Sequence, residues 1–410
     1  MLKNVVLLLA ALVVAGVCSL PAEAQTYRVL HNFGAPSDGD IPYAGVTFDS
    51  RGSLYGATAY GGSIACTPYG CGVIYKMTPN MDGSWTESVI HQFIGSDGSR
   101  PIGSVVVDGH GSVYGAAQDG YHGNGAIFRI TPVQSGWSYS VINPFLRGGA
   151  GPSSPLTFDS NGNLYGTTID DGVSGGVFAL YHTSLIGSWY EIVLHAFRNG
   201  QDGAEPFGGV IFDQAGNLYG TTYAGGSNQN GTIFELTSNY PQFGWTETQL
   251  HVFSGPAGGG PDGSEPLAGL VFDNAGNLYG STVAGGSRGL GTVFKLTHNS
   301  DGSWSESILH SFQGGNDGSA PACQLVFDQA GSLYGTTTEG GIANYGTVFK
   351  LSPGSGGQWS ESILHTFSGG LDGGLPYAGV TLDGAGNVYG TTQVGGPYGQ
   401  YGGVVYKIIP

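Results

Sequence analysis

The chain has 410 residues, 77 of them glycine and only 10% charged, and a formal net charge of −17 from 12 basic and 29 acidic residues. Glycine stands far above its usual ~7%, yet there is no G-x-y period and 40% of residues are apolar, so collagen and disorder are both excluded. So acidic a surface repels phosphate backbones and anionic headgroups, which argues against nucleic-acid and membrane-surface roles.

Residues 1–24 read as a secretory signal. Lys3 supplies the positive start, Val5 to Val17 the apolar run, and Ala22-Glu23-Ala24 a small-x-small cleavage site. The run is too short to span a bilayer. Cys18 follows Val17, a poor lipoprotein context, so cleavage is expected after Ala24. Residues 25–410 should then form a soluble, secreted or periplasmic protein with no membrane insertion. The sequence also ends on an apolar run, Val404 to Ile409, with no anchor after it.

The mature chain opens on Tyr27 to Phe33, a strand pattern ending in His-Asn-Phe. Thereafter the frame D-x-x-G-x-[LV]-Y-G occurs seven times. Its tyrosines are Tyr55, Tyr114, Tyr165, Tyr219, Tyr279, Tyr334 and Tyr389, each six residues after an aspartate. From Tyr55 to Tyr389 is 334 residues in six steps, a period of about 56.

One unit, Pro266 to Phe312, shows the pattern. Strand a is predicted at Ala268–Phe272, a turn at Asp273–Gly276, and strand b at Asn277–Thr282. A loop, Val283 to Leu290, leads to strand c at Thr292–Leu296, and a second turn to strand d at Trp304–Phe312. No helical period appears outside the leader. Four short strands per unit, seven times over, predict an all-β, seven-bladed β-propeller over residues 25–410. The last unit lacks a strand d, and the N-terminal segment supplies one. A ring closed by the first strand completing the last blade predicts this exchange, because it leaves no open seam.

The runs N-L-Y-G-T-T, G-T-V-F-K-L and W-x-E-x-x-L-H-x-F resemble the Gloeo/Verruco tandem repeat, often called GloVer, over essentially all of residues 26–409. The resemblance implies an exported bacterial protein and no particular activity. Many members of the family carry a C-terminal anchor, a feature not found in this sequence.

The seven turn aspartates lack the remaining calcium-loop ligands and are expected to accept turn amide N–H groups. Strand d carries His31, His91, His195, His251, His310 and His365, with Asn143 in the other copy. One histidine per blade is too sparse for a zinc cage, so each is expected to be packed with one nitrogen satisfied. Strand alternation would put Trp304, Glu306, Ile308, His310 and Phe312 on one face. Gly285 to Gly289 matches G-x-S-x-G, but between two strands rather than at a strand–helix elbow. No metal site and no cofactor is expected. Cys66 and Cys71 share one loop insertion and are expected to form a disulfide, leaving Cys323 buried.

Alternating strand direction puts the a–b and c–d turns on one face and the b–c loops and d–a connections on the other. The second face is the variable one, where binding usually resides. Its d–a connections carry D-G-x-x-P, with Asp38, Asp97, Asp202, Asp262, Asp317 and Asp372 as an acidic ring. Its b–c loops carry the candidate ligand-binding residues Tyr60, Asp119, Tyr121, His122, Asp170, Asp171, Tyr223, Glu339, Tyr345, Tyr398 and Tyr401. Tyrosines beside carboxylates suit sugars, whose apolar faces stack while hydroxyls bond to acids; the same tyrosines could simply pack the loops. The expectation is a monomeric, non-catalytic propeller that binds a neutral or cationic glycan or another extracellular protein. An extracellular glycan hydrolase or lyase on the same face, with Asp170 and Asp171 as its acid–base pair, is the alternative.

Overall fold

Each D-x-x-G-x-[LV]-Y-G stretch closes on its own aspartate. The computed structural model describes residues 25–410 apart from 36, 121–122, 146–150, 171–173, 184–187, 240–243 and 256–261. The leader and the candidates Tyr121, His122 and Asp171 lie outside the described residues. Asp273 Oδ1 accepts the N–H groups of Ala275 and Asn277 at 2.9 Å, while Oδ2 accepts from Asn277 Nδ2 at 2.7 Å and the Tyr279 hydroxyl at 3.0 Å. Gly276 turns the chain at φ +83°. The tyrosine–aspartate bond recurs in all seven copies. The aspartates are turn acceptors, as expected.

The seven turns head seven four-stranded antiparallel sheets. In the fifth blade the strands are Val271–Phe272, Leu278–Thr282, Thr292–His298 and Trp304–Ser311. Strand a is thus two residues long, not five. The residues before it line the central channel and bond sideways to other blades: the Leu270 carbonyl accepts from Gln324 Nε2, and the Ala268 carbonyl from Thr221 Oγ1.

A second correction concerns strand d. The pairing of strands c and d shifts register between Val293 and Phe294, which face His310 and Ile308, so Leu309 is an extra residue. This bulge breaks the alternation. Trp304 and Ile308 pack toward the preceding blade with Tyr219 and Phe253, whereas Leu309 and Phe312 pack toward the following one with Leu333 and Phe349. The histidine and glutamate of one strand d therefore serve opposite junctions. The tryptophans are structural: Trp304 packs on Tyr219, the turn tyrosine of the preceding blade.

The glycine of L-Y-G is required by space. A Cβ on Gly280 would lie 2.5 Å from Cζ of Phe294 on strand c and 3.0 Å from Leu270. Seven apolar clusters fill the blade junctions.

Closure occurs in the seventh sheet, ordered Thr26–Asn32, Val404–Ile409, Val388–Thr392, Thr381–Leu382. Thr391 Oγ1 then reaches the Ala44 carbonyl of the first blade, as Thr221, Ser281 and Thr336 do at other junctions. Among the described residues no helix is long and apolar enough to cross a membrane.

Cys66 and Cys71 are bonded, and Cys323 is buried with a free thiol. Alkylation of unreduced, denatured protein comprising residues 25–410 should label Cys323 alone by mass spectrometry. A label on Cys66 or Cys71 would contradict the bridge.

Candidate functional site

On the variable face each d–a connection pairs with a b–c loop. The pairs are Asp40–Tyr60, Ser99–Asp119, Pro152–Thr168, Ala204–Ala224, Gly263–Gly285, Ser319–Glu339 and Gly374–Val394. In six units this pairing holds the residue before the proline in the left-handed region. Ile41, Arg100, Glu205, Glu265, Ala320 and Leu375 all have φ between +53° and +60°. For non-glycine residues such strain costs about 1–3 kcal/mol each and survives only where the surroundings impose it. The backbone bonds impose it here. Arg100 donates its N–H to the Cys71 carbonyl, and its own carbonyl accepts from Gln118. The third unit, which departs from D-G-x-x-P, has Gly151 at φ +50° accepting from Ile169.

This rim frames the mouth of a central cavity of about 920 Å³. Glycines and aliphatic residues of the a segments line its shaft, Gly45, Val105, Val210 and Gly269 among them. Its mouth is aromatic and polar. Tyr43 and Tyr377 lie with ring centroids 5.2 Å apart, and Phe207 meets Tyr223 edge-on at 5.6 Å. The Tyr223 hydroxyl donates to Glu265 Oε2 at 3.1 Å. Burial, then the charges of Glu265 and Glu205, raise the Tyr223 phenol above its ordinary value; burial, then Tyr43 and Glu339, do the same for Tyr377. Both phenols are therefore neutral donors at physiological pH. Arg100 is held 2.6 Å from Asp119, while Arg100 Nε and Gln118 Oε1 are buried without hydrogen-bond partners.

The predicted residues divide into two groups. Tyr60 and Tyr223 line the cavity, and Asp119 anchors Arg100 at its edge. Glu339 is exposed near Tyr377. Asp170 is exposed at the end of strand b in the third blade. The rings of Tyr345 and Tyr398 lie against Gly369 and Gly34 at the outer loops, and Tyr401 is exposed. The sequence reading missed Tyr43, Arg100, Gln118, Glu205, Phe207 and Tyr377. For all but Gln118, which follows strand b of the second blade, the signal was present: the positions flanking the proline of D-G-x-x-P vary in chemistry while their surroundings hardly change.

The D-G-x-x-P aspartates are not a free acidic ring. Each of the six sits 3.0–3.6 Å from Nε2 of the strand-d histidine, with only 13–23% of its side chain exposed. Five of the histidines are packed with Nε2 bonded to the aspartate, as expected, whereas His195 Nε2, 3.6 Å from Asp202, is buried without a hydrogen-bond partner. Among the described residues, donor-type atoms of three such groups converge within 4.8 Å at His251/Asp262/Glu306 and at His310/Asp317/Glu361. In both, the imidazole nitrogen is already engaged with its aspartate.

Three overlapping stretches, residues 16–172, 64–263 and 244–410, match the Gloeobacter/Verrucomicrobia repeat. The sequence has no match among curated proteins. Among solved structures the fold is similar to PorZ, described as an essential surface component of the type-IX secretion system of Porphyromonas gingivalis. That pair is 16% identical with TM-score 0.52, over 92% of this chain and 47% of PorZ. A puromycin hydrolase mutant complexed with PGG gives 11% identity and TM-score 0.54, over 87% of this chain and 50% of the other. A candidate 6-phosphogluconolactonase from Bacteroides uniformis gives 15% and 0.51, over 77% and 84%. The chain spans about half the length of the first two. At these identities the likeness is one of fold alone.

Proposed function

The chain belongs to the Gloeobacter/Verrucomicrobia repeat family, and from that membership and the channel mouth we propose an exported, non-catalytic binding propeller that holds a neutral or cationic glycan. The observation that carries the reading is the two aromatic pairs, Tyr43–Tyr377 and Phe207–Tyr223, that line the cavity beside a rim of left-handed residues. Flat rings offer stacking surface to the apolar faces of sugars. Arg100, Gln118, Glu205 and the neutral phenols offer both donors and acceptors to hydroxyls. A rim fixed by backbone bonds loses little entropy on binding. Anionic glycans are disfavoured, because Arg100 at the mouth is outnumbered by Asp119, Glu205, Glu265 and Glu339. The propeller would act as a monomer, with an extracellular protein on the same face as the competing occupant.

The test is a panel of neutral, cationic and anionic oligosaccharides against wild type and Tyr223→Ala/Tyr377→Ala. Neutral or cationic binders should weaken about 10-fold, the combined loss of two stacking contacts, while the melting temperature stays nearly unchanged. Binding confined to anionic sugars, or unaffected by the double variant, would refute the placement.

One observation favours the runner-up, a glycan hydrolase or lyase on the same face. Burial raises the Asp40 carboxyl to about 7 despite a backbone hydrogen bond at Ile41, and Asp38 adds to the rise. Its Oδ1 is buried without a partner, beside a small cleft lined by Gly61 and Tyr69. A carboxylic acid kept protonated near neutrality suits general-acid work. Release of reducing sugar that is lost in Asp40→Asn would shift the reading to that enzyme.

A further inference from the structure

The bulged strand d gives the blade junctions a repeated polar seam. At each of six junctions the strand-d histidine of one blade is held by the aspartate of its own d–a connection. The residue two after the strand-d tryptophan of the next blade, or Tyr27 at the equivalent register of the closing strand, then comes against that pair. At four junctions it is a glutamate. Glu87 faces His31 and Asp38, and Glu247 faces Asp202, whose partner His195 also feels Arg198. Glu306 faces His251 and Asp262, and Glu361 faces His310 and Asp317. At two junctions it is a tyrosine. Tyr139 stacks on His91 and Tyr27 on His365, each donating its hydroxyl to the aspartate's backbone carbonyl. At the last, Asn143 donates to Glu191.

The tyrosines and the asparagine bring a proton donor to the junction. An ionised glutamate brings none. At all four glutamate junctions the Oε1 atom is buried with no hydrogen-bond partner. In the best-defined one, His310 Nε2 is 3.0 Å from Asp317 Oδ1 and 3.7 Å from Glu361 Oε1. There, and at His251/Asp262/Glu306, the two carboxylates lie within 4.8 Å of one another, and carboxylates so close cannot both stay ionised without large repulsion. We propose that at these four junctions the glutamic acid is held protonated, and that at Glu306 and Glu361, whose facing aspartates lie within 4.8 Å, it shares its proton with that aspartate, forming an acid-dependent clasp between neighbouring blades.

The proton balance points the same way. Burial, then the charges of Asp202 and Asp262 respectively, raise Glu247 and Glu306 to about 7. Burial and Asp317 raise Glu361 to about 9, and Glu87 is raised as well. Burial opposes it, yet the bonds from His310 and Glu361 hold Asp317 down at about 2. Each glutamate has an ordinary value of 4.5, so between there and about 7–9 the folded state keeps protons that the unfolded chain has lost. Stability from the clasps is present in mild acid and declines as pH rises through that window. Five groups oppose this at the acid side. The His195 and His365 imidazoles are depressed by burial, and Asp97, Asp262 and Asp317 are depressed by their hydrogen bonds, so strong acid also destabilises.

The experiment is thermal melting of residues 25–410 from pH 4 to pH 9.5, for wild type and Glu306→Gln/Glu361→Gln. Glutamine donates as the acid does and does not titrate. Wild type should lose on the order of 5 °C in melting temperature between pH 5 and pH 9. The double variant should match wild type near pH 5 and lose about half as much. An equal decline in both overturns the proposal. So does a wild-type melting temperature that rises from pH 5 to pH 9, or a zinc-induced, EDTA-reversible rise that the variant lacks, which would show that a cation fills the junction. Should the variant not fold, carboxyl carbon NMR of wild type decides. A Glu361 transition near pH 9 supports the clasp, and one near 4.5 refutes it.

Discussion

A chain that begins at residue 34 is expected to lose its single cooperative melting transition and to associate. The missing strand, Thr26–Asn32, pairs with Val404–Ile409 in a register running from Thr26–Ile409 to Asn32–Val404. Its removal opens the backbone of an apolar strand, Val404-Val405-Tyr406-Lys407-Ile408-Ile409, as an unpaired edge, the form of strand most prone to intermolecular pairing. It also takes away Phe33, which is fully buried against Tyr75 of the first blade. Deleting one such phenyl group costs about 3–5 kcal/mol by itself. Tyr27, wedged between His365, Phe367 and Tyr406, goes with it. The loss falls on both flanks of the seventh blade, so the propeller should open at that seam. Size-exclusion chromatography and calorimetry on residues 34–410 against 25–410 check this. A monomer with an unchanged melting temperature would mean that the ring does not depend on its closing strand.

Gly280→Val is expected to destabilise by about 3 kcal/mol, the upper part of the usual range for overpacking. Gly280 has no left-handed φ, so the cost is spatial: its Cβ would press on Cζ of Phe294 and on Leu270. Gly276→Ala is the contrasting variant. There the added Cβ meets nothing within 4 Å and the cost is the φ of +83°, about 1 kcal/mol. Phe294→Leu should be harmful in wild type yet recover part of the loss in Gly280→Val, because the two side chains compete for one space. Chemical denaturation of the four proteins tests the pair. Strictly additive effects of Gly280→Val and Phe294→Leu would show that the ring is not what excludes a side chain at 280.

Much of the molecule was legible because it is made by residues close in sequence. The Asp273–Tyr279 turn bonds within six positions, so its spacing alone announced it seven times. Strands b, c and d were legible from turn chemistry and apolar pattern, and Cys66–Cys71 from their shared loop. Ring closure was legible too, because a last unit without strand d and an N-terminus with only strand d answer each other.

What the sequence by itself determined is therefore the repeat, its turns, the number of blades and the closing strand, all products of local hydrogen bonding and strand period. Tertiary structure alone decided how the blades meet. The bulge at Leu309 sends Glu306 and His310 to opposite junctions, and simple alternation could not foretell it, since one unpaired residue reverses every side chain beyond it. The D-G-x-x-P aspartates became histidine partners rather than an open acidic ring, because the bulge swings the imidazole toward the d–a connection. The aromatic mouth arises from Tyr43, Phe207, Tyr223 and Tyr377, which lie in three different blades and converge only when the ring closes around its axis.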